Sequence, residues 1–319
     1  MRLGFLFINL KYRKHKVKYM IFGRKKVKKP PDLEWSQSPL IQTPTPSIGV
    51  VIGTYGAPAY VALQLEARKK FYPELPCLIH DDSSLDREEL KGLCKSAEVD
   101  FATTSERHGW SLGDMAAIVA GLDWGRSRKI DIIVKLSRRF LICNDWHLDL
   151  QKLAYRTQYA TYGNACGYHN LPFRPECMGM HVETWHNSGA VEEMRVYVKR
   201  GQRVEQMIER WYQARALRIH QAHAPAILKR REYLFPRDAR WGGYAIWDML
   251  GLSRRADVPG VLWHEVHSAE DYFALAQSWG IVQYSLVDFQ MPDINEAVRE
   301  EAAVMGRRNP DFERKTASR

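Results

Sequence analysis

No CxxC pair occurs in this chain, and its five cysteines, Cys77, Cys94, Cys143, Cys166 and Cys177, form an odd, scattered set. That excludes a zinc ribbon and a dense disulfide framework, and it suits a reducing compartment with the thiols as small core residues. There is no GxxxxGK[ST] loop, no GxGxxG after the first apolar run and no GxSxG elbow. P-loop hydrolysis, Rossmann-type dehydrogenation and α/β-hydrolase chemistry are therefore unsupported. Histidines are paired in HVETWH (181–186) and HEVH (264–267), but neither has the HExxH spacing that puts two ligands one helical turn apart. Packing or acceptor contacts explain them better.

Acidic residues are missing from residues 1–30, which hold 11 Lys and Arg. The formal charge of +10 belongs to that segment, because the remainder carries 36 basic against 37 acidic residues. Its apolar stretch Leu3–Leu10 is too short to span a bilayer. The charged block follows the apolar run and no small-residue cleavage site comes after it, unlike a signal peptide. One reading is a peripheral anchor on an anionic membrane surface through residues 1–29. Phe5, Phe7, Ile21 and Phe22 would enter the interface while each basic residue adds about 1 kcal/mol. The other is a solvated extension, with Met20 as an alternative start. A nucleic-acid arm is not expected, since the neutral body offers no basic face to continue it. Pro30, Pro31, Pro39, Pro44 and Pro46 complete a tail and linker over residues 1–46.

The body, from Ser47, is long enough to bury a sizeable core. IGVVIGTY reads as a buried parallel strand, Tyr60–Tyr72 as a helix ending at Pro73, and PCLIHDDSS as a second strand. Leu85–Ala97 reads as a charged amphipathic helix, VDFATTS as a third strand and Ser111–Trp124 as a small-residue helix packed closely on a sheet. DIIVKLSRRF is a fourth strand. This alternation argues for an α/β fold with a mostly parallel sheet and helices on both faces. Residues 151–290 are less periodic, with helices expected over Val191–Ala216 and Tyr244–Leu250. Residues 291–319 read as a polar tail.

In an open α/β sheet, ligands bind beyond the carboxyl ends of the strands. Those ends carry Thr54-Tyr55-Gly56, Asp81-Asp82-Ser83-Ser84 and Lys135-Leu136-Ser137-Arg138-Arg139. Carboxylates there suit base N–H groups and ribose hydroxyls, and a cationic triplet suits a diphosphate, which Arg engages bidentately. Taken singly, Asp81-Asp82 also fits an ordinary Asx-capped turn and Arg138-Arg139 a solvated edge. Asp114, early in the small-residue helix, either complements the helix dipole or reaches sugar hydroxyls. Trp185, Tyr244, Trp247 and Trp263 fit core positions, with sugar stacking as the alternative.

GVVIGTYGAP is similar to the opening strand of family-2-type glycosyltransferases with the GT-A fold. LIHDDSS resembles their second strand, which usually ends Asp-Asp-Gly-Ser, and GDMAAIVAG (113–121) their helix before the central acidic motif. Asn144-Asp145-Trp146 resembles the Pro-Asp-Trp that follows Leu-Asp-x-Asp, which sets Ser137, Arg138 and Arg139 on that acidic motif. WGGYAIWDMLG resembles the segment ending in the catalytic base and assigns that role to Asp248. LWHEVH resembles the late segment where many GT-A enzymes have a metal-binding His, making His264 the first candidate and His267 the second.

The resemblance implies residues 47–150 as a nucleotide-sugar-binding half and 151–290 as the acceptor and catalytic half of the same domain. It implies a hexosyltransferase using a nucleoside-diphosphate sugar and a glycan or lipid-linked acceptor, as in polysaccharide or lipopolysaccharide synthesis at the cytoplasmic membrane face. Thr54, Tyr55, Asp81 and Asp82 would bind the nucleoside, and Asp114 the sugar. Lys135, Ser137, Arg138, Arg139 and His264 would bind the diphosphate, with inversion if Asp248 is the base. Where the family holds Mg²⁺ or Mn²⁺ on carboxylates, this chain has Ser and Arg, so the expectation is no metal ligand and no required cofactor, with a divalent metal held without those carboxylates as the alternative. A non-catalytic nucleotide-sugar- or glycan-binding protein of the same fold is the alternative.

Overall fold

The computed structural model describes residues 45–157, 161–163, 176–187, 189–200, 261–263 and 267–290. The expected alternation is present: β1 (Ile48–Thr54), α1 (Pro58–Phe71), β2 (Cys77–Asp81), α2 (Arg87–Ser96), β3 (Asp100–Thr103), α3 (Trp110–Ser127) and β4 (Ile132–Ser137). β1 pairs in parallel with β2 and β4, and β2 with β3. With no water-facing side, β1, β2 and β4 need apolar residues at nearly every position, which is why they lack a two-residue alternation.

Two strands of the main sheet were not legible in the sequence. β6 (Thr161–Gly163) and β7 (Cys177–His181) extend the sheet to the order β3-β2-β1-β4-β7-β6, with β7 antiparallel to both its neighbours. The sequence CMGMH of β7 has neither β-branched nor aromatic residues, so it lacks a strand signal. The fourth strand is also shorter than its apolar run. It stops at Ser137, turns at Arg138-Arg139, and resumes as β5 (Phe140–Ile142), which pairs with β8 (Val261–Trp263) in a second, two-stranded sheet. The basic triplet therefore sits at a change of sheet.

α1 starts with Pro58, whose missing N–H costs nothing in the first turn, and ends just before Pro73. It is buried on two sides. Val61 and Leu65 pack on the sheet with Ile52 and Ile79, while Ala59, Leu63 and Ala67 pack with Tyr272, Ala276 and Phe289. The latter belong to α7 (Ala269–Ser278) and a 3-10 turn, Leu286–Phe289. The opposite sheet face is covered by α3, through Leu112, Met115, Ile118 and Leu122 against Val51, Leu78 and Ile133. Its glycines allow that approach: a Cβ on Gly121 would lie 2.7 Å from Val51 Cγ2.

α4 (Trp146–Thr157), α5 (Val182–Asn187) and α6 (Ala190–Arg200) complete the described helices. α6 occupies the start of the helix expected from Val191. The expected helix at Tyr244–Leu250, the tail and residues 291–319 lie outside the described residues. Burial pushes the thiols of Cys77, Cys94 and Cys143 up to about 12, in keeping with inert core thiols. No helix of the described residues is long and apolar enough to cross a membrane.

Candidate functional site

The carboxyl ends of β1, β2 and β4 lie side by side, with Thr54 in register with Asp81 and Gly53 with Ser137. Leaving β1, Thr54 Oγ1 donates to Gly56 O at 2.5 Å, and Gly56 and Ala57 both take left-handed backbone, each with φ 58°. The ring of Tyr55 then lies under the Arg107 guanidinium, 3.9 Å from its centroid, in a face-on cation–π contact. Arg107 follows β3. It escapes a reading restricted to the first, second and fourth strand ends.

Asp81 and Asp82 are both buried, and their carboxylates organise the loops. Asp81 Oδ1 accepts from Gly56 N–H at 3.3 Å, and Oδ2 accepts from Ser84 N–H at 2.8 Å and Thr103 Oγ1 at 3.4 Å. Asp82 takes the N–H groups of His108 (2.9 Å to Oδ1) and Gly109 (2.9 Å to Oδ2), and the hydroxyl of Thr104 at 3.2 Å. It thereby fixes the approach to α3, and a Cβ on Gly113 would meet its Oδ2 at 2.7 Å. One aspartate thus ties the strand ends together and the other anchors the start of a helix.

His80, one residue before this pair, is 4% exposed and its Nδ1 has no partner among the described residues. Burial holds its pKa down to about 4, against the pull of Asp82 and Asp81. The folded protein therefore keeps His80 neutral between pH 6.5 and about 4, while the unfolded chain binds a proton there. Stability from this group is full above pH 6.5 and falls by about 3 kcal/mol as the pH drops to 4. Urea unfolding at a series of pH values should show that loss in the wild type, and His80→Phe should reduce it.

Beneath the β1 and β4 ends lies a buried ion pair. Lys135 is wholly buried, and its Nζ donates to Asp114 Oδ1 and, at 3.2 Å, to Ser137 Oγ. Asp114 is thus not a first-turn dipole partner; it reaches from the second turn of α3 to β4. Gly53 makes room for the pair, since a Cβ there would approach Lys135 Cε at 3.3 Å and Asp114 Oδ1 at 3.6 Å. Lys135 thus holds Asp114 and Ser137 from below the turn.

Arg138 and Arg139 form the turn itself. The Arg138 N–H donates to Gly53 O at 3.2 Å. Its side chain is largely enclosed, and Nε is buried without a hydrogen-bond partner among the described residues. Burial and the neighbouring Arg139 charge push its pKa down to about 10, which leaves it cationic at neutral pH. Arg139 is lowered as well, chiefly by burial. A second unforeseen residue, Gln64 of α1, donates from Nε2 to the carbonyls of Ser137, Arg138 and Phe140. Its only sequence signal is an amide within the apolar run VALQLEA.

The turn does not fit a hard divalent cation, which requires anionic oxygens rather than two guanidinium groups. The charge of Asp114 is already balanced by Lys135. Among the described residues, no group of three or more His, Cys, Asp or Glu is placed to hold a metal ion. Of the histidines, His181 Nδ1 contacts Thr184 Oγ1 at 2.6 Å and His186 Nε2 donates to Leu122 O at 3.1 Å, so both make local structural hydrogen bonds. Trp185 is core. Asp248, His264, Tyr244 and Trp247 lie outside the described residues.

No family model and no curated protein matches the chain. Solved structures do. A mannosyltransferase from Pyrobaculum calidifontis, in complex with GDP-mannose and Mn²⁺, is 14% identical over 88% of this chain and 92% of its own, with a TM-score of 0.37. TarS from S. aureus with UDP-GlcNAc is 13% identical over 44% of this chain and 46% of its own, with a TM-score of 0.32. A cytidylyltransferase from Leptospira borgpetersenii is 13% identical over 77% and 99%, with a TM-score of 0.33. The similarity to TarS thus spans about half of the solved chain, residues 1–349 of that protein.

Proposed function

We propose that the chain is a glycosyltransferase that takes a sugar from a nucleoside-diphosphate donor and stabilises the departing diphosphate with Arg138 and Arg139 rather than a metal ion. The observation that carries this reading is Arg138, an enclosed guanidinium whose Nε has no hydrogen-bond partner among the described residues, at the carboxyl end of β4. A buried guanidinium N–H left without an acceptor is costly unless an anion completes it. Beside it, Tyr55, Arg107 and the loops held by Asp81 and Asp82 form a wall suited to a nucleoside, with Thr54 at its base.

In this reading an acceptor hydroxyl attacks the anomeric carbon. The C–O bond to the acceptor forms as the C–O bond to the diphosphate breaks, and Asp248 takes the hydroxyl proton. The nucleoside diphosphate leaves with its new charge against Arg138 and Arg139, where fixed cations act most strongly out of water. His264 adds to that contact, and Asp114, with 18% of its side chain exposed, offers an oxygen to sugar hydroxyls. Attack from the face opposite the leaving group gives inversion. The acceptor is a glycan or lipid-linked glycan, presented at the cytoplasmic membrane face to which residues 1–29 bind.

The test is a thermal-shift screen of nucleoside diphosphates and their sugars with and without Mn²⁺, followed by a transfer assay. Ligands well above their Kd should raise the melting temperature without Mn²⁺. Asp248→Asn should abolish transfer yet retain donor binding. Transfer that depends on Mn²⁺ and dies in EDTA would refute the metal-free account, and binding with no transfer by the wild type would make the protein a non-catalytic binder.

A further inference from the structure

The turn that carries Arg138 is gripped from behind by two side chains. Gln64 Nε2 donates to Ser137 O at 3.3 Å, Arg138 O at 3.1 Å and Phe140 O at 2.8 Å. Tyr272 of α7 donates its hydroxyl to Arg139 O at 2.5 Å. Four consecutive carbonyl oxygens, 137 to 140, thus accept hydrogen bonds from side chains of α1 and α7. Only the NH₂ end of an amide can face three carbonyls, so the Gln64 orientation is fixed.

Two features make this more than local packing. Free carbonyl oxygens repel an anion, and here all four are turned toward protein donors. The donors are themselves anchored: Gln64 is fully buried, and Tyr272 packs edge-on against Tyr60, centroids 5.0 Å apart, while the Tyr60 hydroxyl donates to Phe289 O at 2.6 Å. On the front, Ser137 N–H donates to Glu176 O at 2.8 Å and Arg138 N–H to Gly53 O at 3.2 Å. The peptide planes of the turn cannot rotate without breaking several of these bonds.

We infer that Gln64 and Tyr272 are positioning residues for the anion-binding turn, fixing its peptide planes so that Arg138 and Arg139 are aimed at a diphosphate. This rests on the proposal that those arginines bind the diphosphate. It gives α7, more than 130 residues further along the chain, a direct part in the site.

Inorganic pyrophosphate is the probe, titrated calorimetrically into the full chain. Gln64→Met keeps the volume and removes the donors; Tyr272→Phe removes only a hydroxyl. Pyrophosphate binding should weaken about tenfold in Gln64→Met and severalfold in Tyr272→Phe, as expected when charge-assisted contacts lose alignment. Amide exchange should quicken at residues 137–140 and stay unchanged in β1 and β2, a pattern that general destabilisation does not give. Wild-type affinity in a folded Gln64→Met and in Tyr272→Phe, or exchange that quickens evenly across the sheet, overturns the inference. Should Gln64→Met fail to fold, Tyr272→Phe decides. If these variants bind normally while Arg138→Met loses binding, only the positioning role falls. If the wild type does not bind pyrophosphate, or Arg138→Met binds it unchanged, the diphosphate reading falls and the inference with it.

Discussion

Arg138→Met should melt at a higher temperature than the wild type and fail to bind a nucleoside diphosphate. Both halves follow from one arrangement. The guanidinium is largely enclosed, its Nε has no partner among the described residues, and Arg139 adds a like charge beside it. Methionine fills much of the same space without that desolvation cost, so folding should gain about 1–2 kcal/mol. The lost contact is a charged fork on a phosphate, and losing it should weaken binding by about 100-fold. Arg138→Lys, which keeps the charge but not the planar fork, should fall between the two. Thermal denaturation alongside pyrophosphate titration separates the outcomes. A variant that melts lower and binds unchanged would make Arg138 a structural cation.

How far this was legible in the sequence depended on the kind of signal each residue gave. The strands β1, β2 and β4 announced themselves because a buried parallel strand is a short apolar run closed by turn residues, and IGVVIGT and IIVKLS are such runs. Strand β7 did not, because Met and Gly at its centre carry no β preference and it is specified by pairing with β4. The strand-end rule located Tyr55, Asp81, Asp82 and Arg138 in one region, since topology alone puts them there. It could not say which way each side chain would turn. Asp81 and Asp82 face inward and accept loop N–H groups, which depends on the left-handed backbone at Gly56, Ala57 and Ser83. Lys135, one position out of phase with Leu136, points under α3 to Asp114. Gln64 and Tyr272 were invisible for a different reason: their function exists only through contacts spanning 73 and 133 residues, and neither lies in a motif.

The Lys135–Asp114 pair should give the largest stability effect in the molecule. Lys135 is wholly buried in the central strand, so Asp114→Ala would leave an ammonium in a low-dielectric site without its opposite charge. Breaking such a pair from one side costs about 3–5 kcal/mol, a large share of a domain's total stability. Removing the lysine costs less, because the carboxylate left behind still reaches solvent through the 18% of its side chain that is exposed. Asp114→Leu combined with Lys135→Met should return to within about 1 kcal/mol of wild type, since two apolar groups of similar volume need no pairing. Urea unfolding of the four proteins would measure this, and additive losses with no recovery in the double variant would show that the pair is not a unit. The same variants separate packing from chemistry. If Asp114 also holds the sugar, the double variant regains its stability without regaining transfer. If it is only the counter-charge of Lys135, stability and transfer return together.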